Sequence, residues 1–229
     1  MTDGTGLAEF AKKFPKRFFD VGIAEQHAIG MAAGLAKSGL IPVIPIYSSF
    51  LQRAYDQMVH DVAIQNLPVI ICADRAGIVG NDGETHQGLL DMSFTNTIPN
   101  FTIMSPKDFK ELEEMLEFSI NLQKPVLIRY PRGFEEISFE SCEKIEYGKS
   151  ELLEKGKDIT IIAIGKMTSR ALEVSKILKE NNINATVINA RFLKPFDEFT
   201  LLENLNDIVF TIEDGTIIGG LGTKVEELL

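Results

Sequence analysis

Apolar and polar positions along this chain switch repeatedly between two periods. Runs such as LPVIICA (67–73), PVLIRY (125–130) and ITIIAIG (159–165) are almost continuous in Val, Ile and Leu, the pattern of strands buried on both faces. Between such runs stand segments with helical spacing. AEQHAIGMAAGLAKSG (24–39) closes on Gly39, and PKDFKELEEMLEFSINLQ (106–123) opens on a proline, a residue favoured at helix starts. In chain order the pattern predicts strand 17–21, helix 24–39, strand 40–46, helix 47–66, strand 67–73, a glycine-rich stretch, strand 101–105, helix 106–123 and strand 125–130. A second series follows: strand 159–165, helix 169–182, strand 185–190, helix 197–205 and strand 207–214. Strands that alternate with helices form parallel sheets covered on both faces. The expected fold is therefore α/β, a parallel sheet with helices on both faces over 1–138, followed by a second, incomplete α/β domain over 139–229, with a linker near 135–150. The N-terminal MTDGTGLAEFAKKFP reads as a linker and the second series stops after three strands, so the chain is expected to be a piece of a longer protein.

Composition narrows the classes. The chain has 229 residues, 45% hydrophobic and 24% charged, with no low-complexity tract, which suits a folded protein with a sizeable core. A formal charge of −10 argues against nucleic acid as the main partner, because phosphate backbones need a basic face. Cys72 and Cys142 stand apart, without CxxC spacing, and read as reduced thiols. No uncharged stretch approaches the ~20 residues of a membrane span, so no membrane partner is expected and the expected location is cytoplasmic.

Candidate chemistry gathers where strands end. DRAGIVGNDGETHQG (74–88) follows the strand 67–73 and is long for a strand-to-helix connection. Gly77, Gly80, Gly83 and Gly88 let its backbone approach a ligand, and Arg75, Asp82 and His86 would be its polar groups. A solvated surface loop is the plainer alternative. Glu25 lies in the first turn of a predicted helix, where a carboxylate is favoured electrostatically, and a simple capping role explains it equally. Tyr47, Phe50 and Arg53 fall three apart on one helical face, able to clamp a flat heterocycle or merely to fill core. RYPRG places Arg129 and Arg132 at a strand end, suited to a phosphate or carboxylate, or to pairing with the chain's own acids.

Taken in order and spacing, DVGIAEQHAIGMAAGLA, YSSFLQRAYDQMVHDVAIQNLPV, DRAGIVGNDGETHQG and RYPRG resemble the pyrimidine-binding domain of the 1-deoxy-D-xylulose-5-phosphate synthase family, thiamine-diphosphate enzymes of the transketolase superfamily. The resemblance is dense over 17–134, and the second unit resembles the first part of the family's C-terminal domain through weaker motifs. It implies a transferase that joins pyruvate to D-glyceraldehyde 3-phosphate with loss of CO2, feeding isoprenoid precursor, thiamine and pyridoxol synthesis. Glu25 then matches the glutamate that holds N1′ of the cofactor's aminopyrimidine, and Tyr47, Phe50 and Arg53 match residues lining that ring. Arg75 and Arg132 match binders of the aldehyde's phosphate, Tyr47 borders the substrate, and Asp82 and His86 match polar substrate-site groups that assist proton transfer. The family holds Mg2+ and the diphosphate through a GDG motif on an N-terminal domain. NDGETHQG is not that motif, since Asn81 replaces its first glycine, so no metal site is expected in this chain. The resemblance further implies a homodimer, a diphosphate-binding domain absent from this sequence, and a chain inactive by itself. Two alternatives stay open: the small subunit of a split transketolase or the β chain of a 2-oxoacid dehydrogenase, and a non-catalytic α/β scaffold in which Glu25, Phe50 and Arg53 are buried and paired internally.

Overall fold

A computed structural model of the chain describes residues 2–134, 139 and 144–229. Of the predicted linker, 135–138 and 140–143 lie outside the described residues, and Cys142 with them. The first unit comprises α1 (Ala8–Lys13), α2 (Glu25–Lys37), β1 (Val43–Tyr47), α3 (Ser48–Leu51), α4 (Tyr55–Gln57), β2 (Ile70–Asp74), α5 (Asp91–Asn96), β3 (Thr102–Met104), α6 (Phe109–Leu122) and β4 (Val126–Arg129). The second comprises β5 (Glu151–Glu154), β6 (Ile159–Ala163), α7 (Met167–Glu180), β7 (Ala185–Asn189), β8 (Phe192–Lys194), α8 (Glu198–Asn204), β9 (Val209–Ile212) and α9 (Leu221–Leu228).

The first sheet has the order β1-β2-β4-β3-β8; its first four strands are parallel, and β8 reaches back from the second unit to pair antiparallel with β3. The second sheet, β5-β7-β6-β9, is parallel except for β5. Side chains alternate across a sheet, and both faces here are apolar. On one face of the first sheet Ile70, Cys72, Met104, Val126, Ile128 and Phe192 pack with Met115 of α6. On the other, Ile71, Ala73, Ile103 and Leu127 meet Ile29, Ala32 and Ala33 of α2. That second cluster runs on without a break through Ile162, Ile188, Leu201, Leu221 and Val225, so the two units share one core.

Four local expectations are revised. Residues 17–21 form no strand: Phe18 has extended dihedrals, but no strand lies beside it and Phe19 is exposed, so the ladder that would fix the conformation is missing. The helix predicted at 47–66 is broken into α3, a 3₁₀ turn Gln52–Ala54, α4 and a π-helical segment Met58–Ala63, a kind of irregularity that gathers at functional sites. Helix α6 starts at Phe109 and not at Pro106, because the Asp108 side chain caps it by accepting from the Glu111 amide at 2.6 Å. Finally, α1, α5, β5 and β8 were not anticipated; all are short, α1 stands within the stretch read as a linker, and β8 has only a strand of the other unit to pair with. No helix among the described residues is long and apolar enough to cross a membrane.

Candidate functional site

The parallel strands β1, β2 and β4 end side by side, and their carboxyl ends carry Tyr47, Asp74 and Arg129. In open parallel sheets this edge is where ligands bind. The chain turns sharply after β2 at Arg75, which adopts φ 60° and points its guanidinium back over the Tyr47 ring, 4.1 Å from the centroid. Arg75 donates to the Tyr47 hydroxyl at 2.7 Å and to the Gly4 carbonyl at 3.0 Å. Gly77 and Gly88 then exchange backbone hydrogen bonds at 2.8 and 2.9 Å, closing the loop between them at its neck. Gly88 is required there: a Cβ would stand 2.5 Å from both the Arg75 carbonyl and Ser48 Oγ. Within the loop, the Gln87 amide bonds to Val79 at both its amide and carbonyl, at 2.7 and 3.0 Å, giving the segment an internal frame.

Seven of the residues singled out from the sequence make a continuous chain of contacts, and the eighth, His86, packs on its rings. Glu25, at the first position of α2 and with a side chain only 9% exposed, lies 3.4 Å from the guanidinium of Arg53, which is half exposed. Arg53 covers the Phe50 ring at 4.6 Å, and Phe50 stacks on Tyr47 with centroids 5.6 Å apart. His86 meets both rings edge-on, at 5.0 Å from Phe50 and 6.1 Å from Tyr47. Beyond Tyr47 comes Arg75, then Asp82 at 3.5 Å, then Arg132, which pairs with the other Asp82 oxygen. Arg75 Nε and Asp82 Oδ2 are buried and make no hydrogen bond. Oδ2 keeps only its ion pair with Arg75, so a buried donor and an incompletely satisfied acceptor belong to the same residue pair, an arrangement that suits a polar ligand.

Burial raises the Asp74 carboxyl above the ordinary range, against the pull of Arg75 beside it. Burial, helped by Asp74, pushes the Cys72 thiol up to about 12, so it is an inert core thiol. Among the described residues no group of three His, Cys, Asp or Glu side chains gathers as metal ligands.

Of the two roles open to Arg129 from the sequence, it takes pairing with the chain's own acids. It turns inward and is 2% exposed, held at 3.0 Å by Asp91 and at 2.8 Å by Asp214 of the second unit, so its fork is consumed by internal carboxylates. Lys166 pairs with the same Asp214 at 3.1 Å. Asp214 and Lys166 escaped the sequence reading; the one available signal was that Asp214 ends a predicted strand.

A buried carboxylate, stacked aromatic rings and paired guanidiniums thus lie together at the carboxyl edge of a parallel sheet, groups able to take a flat, protonatable heterocycle with an anionic neighbour. Comparison with known proteins agrees with that class. Residues 1–134 match the family model for the transketolase pyrimidine binding domain, and 148–229 that for the transketolase C-terminal domain. A solved split-gene transketolase, an inactive β4 tetramer, superposes with TM-score 0.91 at 36% identity, over 100% of this chain and 75% of that one. A transketolase from Pichia stipitis superposes over 85% of this chain and 30% of its own at TM-score 0.71 and 23% identity, a likeness of fold. The chain belongs to the transketolase family. Among its curated relatives are the 1-deoxy-D-xylulose-5-phosphate synthases of Natranaerobius thermophilus, 53% identical, and Caldanaerobacter subterraneus, 54% identical, each matched over 100% of this chain. The chain spans 37% of the length of either relative.

Proposed function

We propose that this chain supplies the pyrimidine-facing half of a thiamine-diphosphate site in a 1-deoxy-D-xylulose-5-phosphate synthase, which condenses pyruvate with D-glyceraldehyde 3-phosphate and releases CO2. The observation that carries this reading is the unbroken run Glu25–Arg53–Phe50–Tyr47–Arg75–Asp82–Arg132 along one strand edge. The residues fit the group. Phe50 stacks on Tyr47 and carries the half-exposed Arg53 guanidinium on its ring, a position a flat heterocycle would take by displacing it, and Glu25 is the buried carboxyl paired with that guanidinium. When bound, thiamine diphosphate supplies an acidic thiazolium carbon at which the bond between a 2-oxo acid's carbonyl and carboxylate carbons is broken. Glu25 would hold the proton shared with the ring nitrogen N1′, with Arg53 beside it to keep the carboxyl oriented. Arg75 and Arg132 would grip the aldehyde's phosphate by forked hydrogen bonds. Asp82 and His86, at the mouth of the loop, would orient the substrate and pass a proton.

On this reading Mg2+ and the diphosphate belong to a companion domain, the chain alone does not turn over, and a second copy completes a homodimer. Phe19, Ile23, Leu40 and Ile64, flanking α2 and the π-helical segment, are exposed apolar side chains of the kind such a contact would cover. The half-exposed Arg53 weighs against the scaffold alternative, whereas the buried Glu25 paired with it is what that alternative expects. A second reading, one subunit of a two-chain transketolase, draws support from the whole-chain match to the split-gene protein. Release of CO2 from pyruvate by the intact enzyme distinguishes the synthase from a transketolase. In that enzyme Glu25→Ala is expected to slow exchange of the cofactor's C2 proton by about 100-fold or more, the range of general acid–base contributions, while circular dichroism stays unchanged. Near-normal exchange in the variant would remove Glu25 from this role.

A further inference from the structure

The glycine-rich loop is held from outside its own unit. The neck glycine Gly77, at φ +77°, has the carboxylate of Asp214 seated where a side chain would be: a Cβ there would stand 2.0 Å from Asp214 Oδ2. Asp214 also grips Arg129, three residues before Arg132, and it does so with both its carboxylate and its carbonyl, at 2.8 and 3.5 Å. Lys166, in the turn between β6 and α7, bridges from Asp214 to the Ile78 carbonyl, at 3.1 and 3.5 Å. At the far side of the neck the Thr216 amide donates to the Leu89 carbonyl at 3.0 Å, and Gly215 lies against Met92. The turn that follows β9 thus touches the loop just inside its start and just past its end, and touches the strand end that leads to Arg132.

We propose that Asp214 is a positioning residue for the aldehyde-phosphate site, through which the second unit sets the spacing of Arg75, Asp82 and Arg132. This rests on the function proposed above. The Asp214 carboxylate is taken up by Arg129 and Lys166, so it acts through them. It fixes the loop neck and the end of β4 relative to each other, and the three site residues leave from those two places. A change of about 1 Å in the positioning of reactive groups can cost on the order of 100-fold in rate, so a clamp at this point carries leverage on specificity.

The test uses the intact enzyme. Asp214→Asn keeps the size of the side chain and removes the charge that faces Arg129 and Lys166. Its KM for the phosphorylated aldehyde is expected to rise about tenfold while that for pyruvate stays within about twofold, the split that marks loss of one binding interaction. Hydrogen exchange of the amides between 78 and 86 should quicken while that of β1 amides does not. Lys166→Met, at a more exposed position, should shift both readouts in the same sense by less, and it keeps the test open if the first variant folds poorly. Equal rises in both KM values, or unchanged exchange in the loop, would overturn the proposal. If the unmodified enzyme does not join pyruvate to the aldehyde, the function reading fails by itself, and the exchange rates alone then decide whether Asp214 holds the loop.

Discussion

On the function proposed above, Asp82 prepares the site of the aldehyde's phosphate. It stands between Arg75 and Arg132, contacting both, and so holds two guanidiniums close together that would otherwise repel. The trio keeps one net positive charge. A phosphate that displaces or joins Asp82 meets donors already in place, and arginine forks match its oxygens two at a time. Arg132 is the half-exposed member and Arg75 the buried one, so the two are separable by mutation. Arg132→Ala leaves the Arg75–Tyr47 contact intact. It is expected to raise the intact enzyme's KM for the phosphorylated aldehyde about 10- to 100-fold, the worth of hydrogen bonds to a charged group, with a much smaller change for pyruvate. Steady-state kinetics with both substrates check this, and equal effects on the two would show that Arg132 acts on the fold and not on the phosphate.

At the scale of elements, the loop's shape depends on the absence of side chains at its neck. The Gly88 Cβ position lies against a backbone carbonyl, which cannot rotate away as a side chain can. Gly88→Ala therefore has to push the Arg75 carbonyl or α3 outward. The expected cost is about 1–3 kcal/mol of stability, as for other overpacked sites, with a larger proportional loss of activity because Arg75 moves too. Chemical denaturation together with turnover measures both, and a variant with wild-type values of each would show that the neck tolerates a methyl. Much of this arrangement was legible in the sequence. The apolar runs located β2, β4, β6 and β7 because buried parallel strands carry their signal on both faces, and the glycine spacing marked the loop. Less legible were features set by partners distant in sequence. Residues 17–21 have strand composition without a neighbouring strand, β8 is a strand only through β3, and the breaks within 47–66 leave the helical spacing intact. Arg129 and Arg132 look alike in RYPRG, yet one is buried between Asp91 and Asp214 and the other reaches the site. Nothing local tells them apart, because the distinction is made by Asp214 on the second unit.

For the whole molecule, the junction of the two units is electrostatic as well as apolar. Lys107 and Glu111 of the first unit meet Glu151, Asn189 and Arg191 of the second in a buried cluster. Lys107 Nζ lies 2.6 Å from Glu151, Arg191 Nε lies 2.6 Å from Glu111 and its terminal nitrogen 3.1 Å from Glu151, while Asn189 donates to both glutamates at 3.1 Å. Among the described residues two cations face two carboxylates, so the cluster tolerates burial as a set and not in parts. Arg191→Met leaves two buried carboxylates facing one lysine and is expected to cost about 3 kcal/mol at pH 7, the scale for breaking a buried ion pair. Protonation gives this a sign. Burial alone would raise Glu151, but the Lys107 hydrogen bond and the Arg191 charge hold it below its ordinary 4.5. Asp214 is likewise held below its ordinary 3.8, by Arg129 and Lys166 against burial. A carboxyl depressed in the folded state contributes stability that is complete above its unfolded value and is lost as pH falls through the folded one. Asp74, raised by burial, works in the opposite sense and is outnumbered. The wild-type urea midpoint should thus hold between pH 7 and 5 and fall below about 4.5. Arg191→Met removes a charge that depresses Glu151, so Glu151 takes up a proton sooner and its repulsion with the neighbouring carboxylate is relieved. Through Glu151 the gap between variant and wild type should accordingly narrow as the pH drops from 5 to 3.5, whereas a gap that stays constant would mean that Arg191 contributes through packing alone.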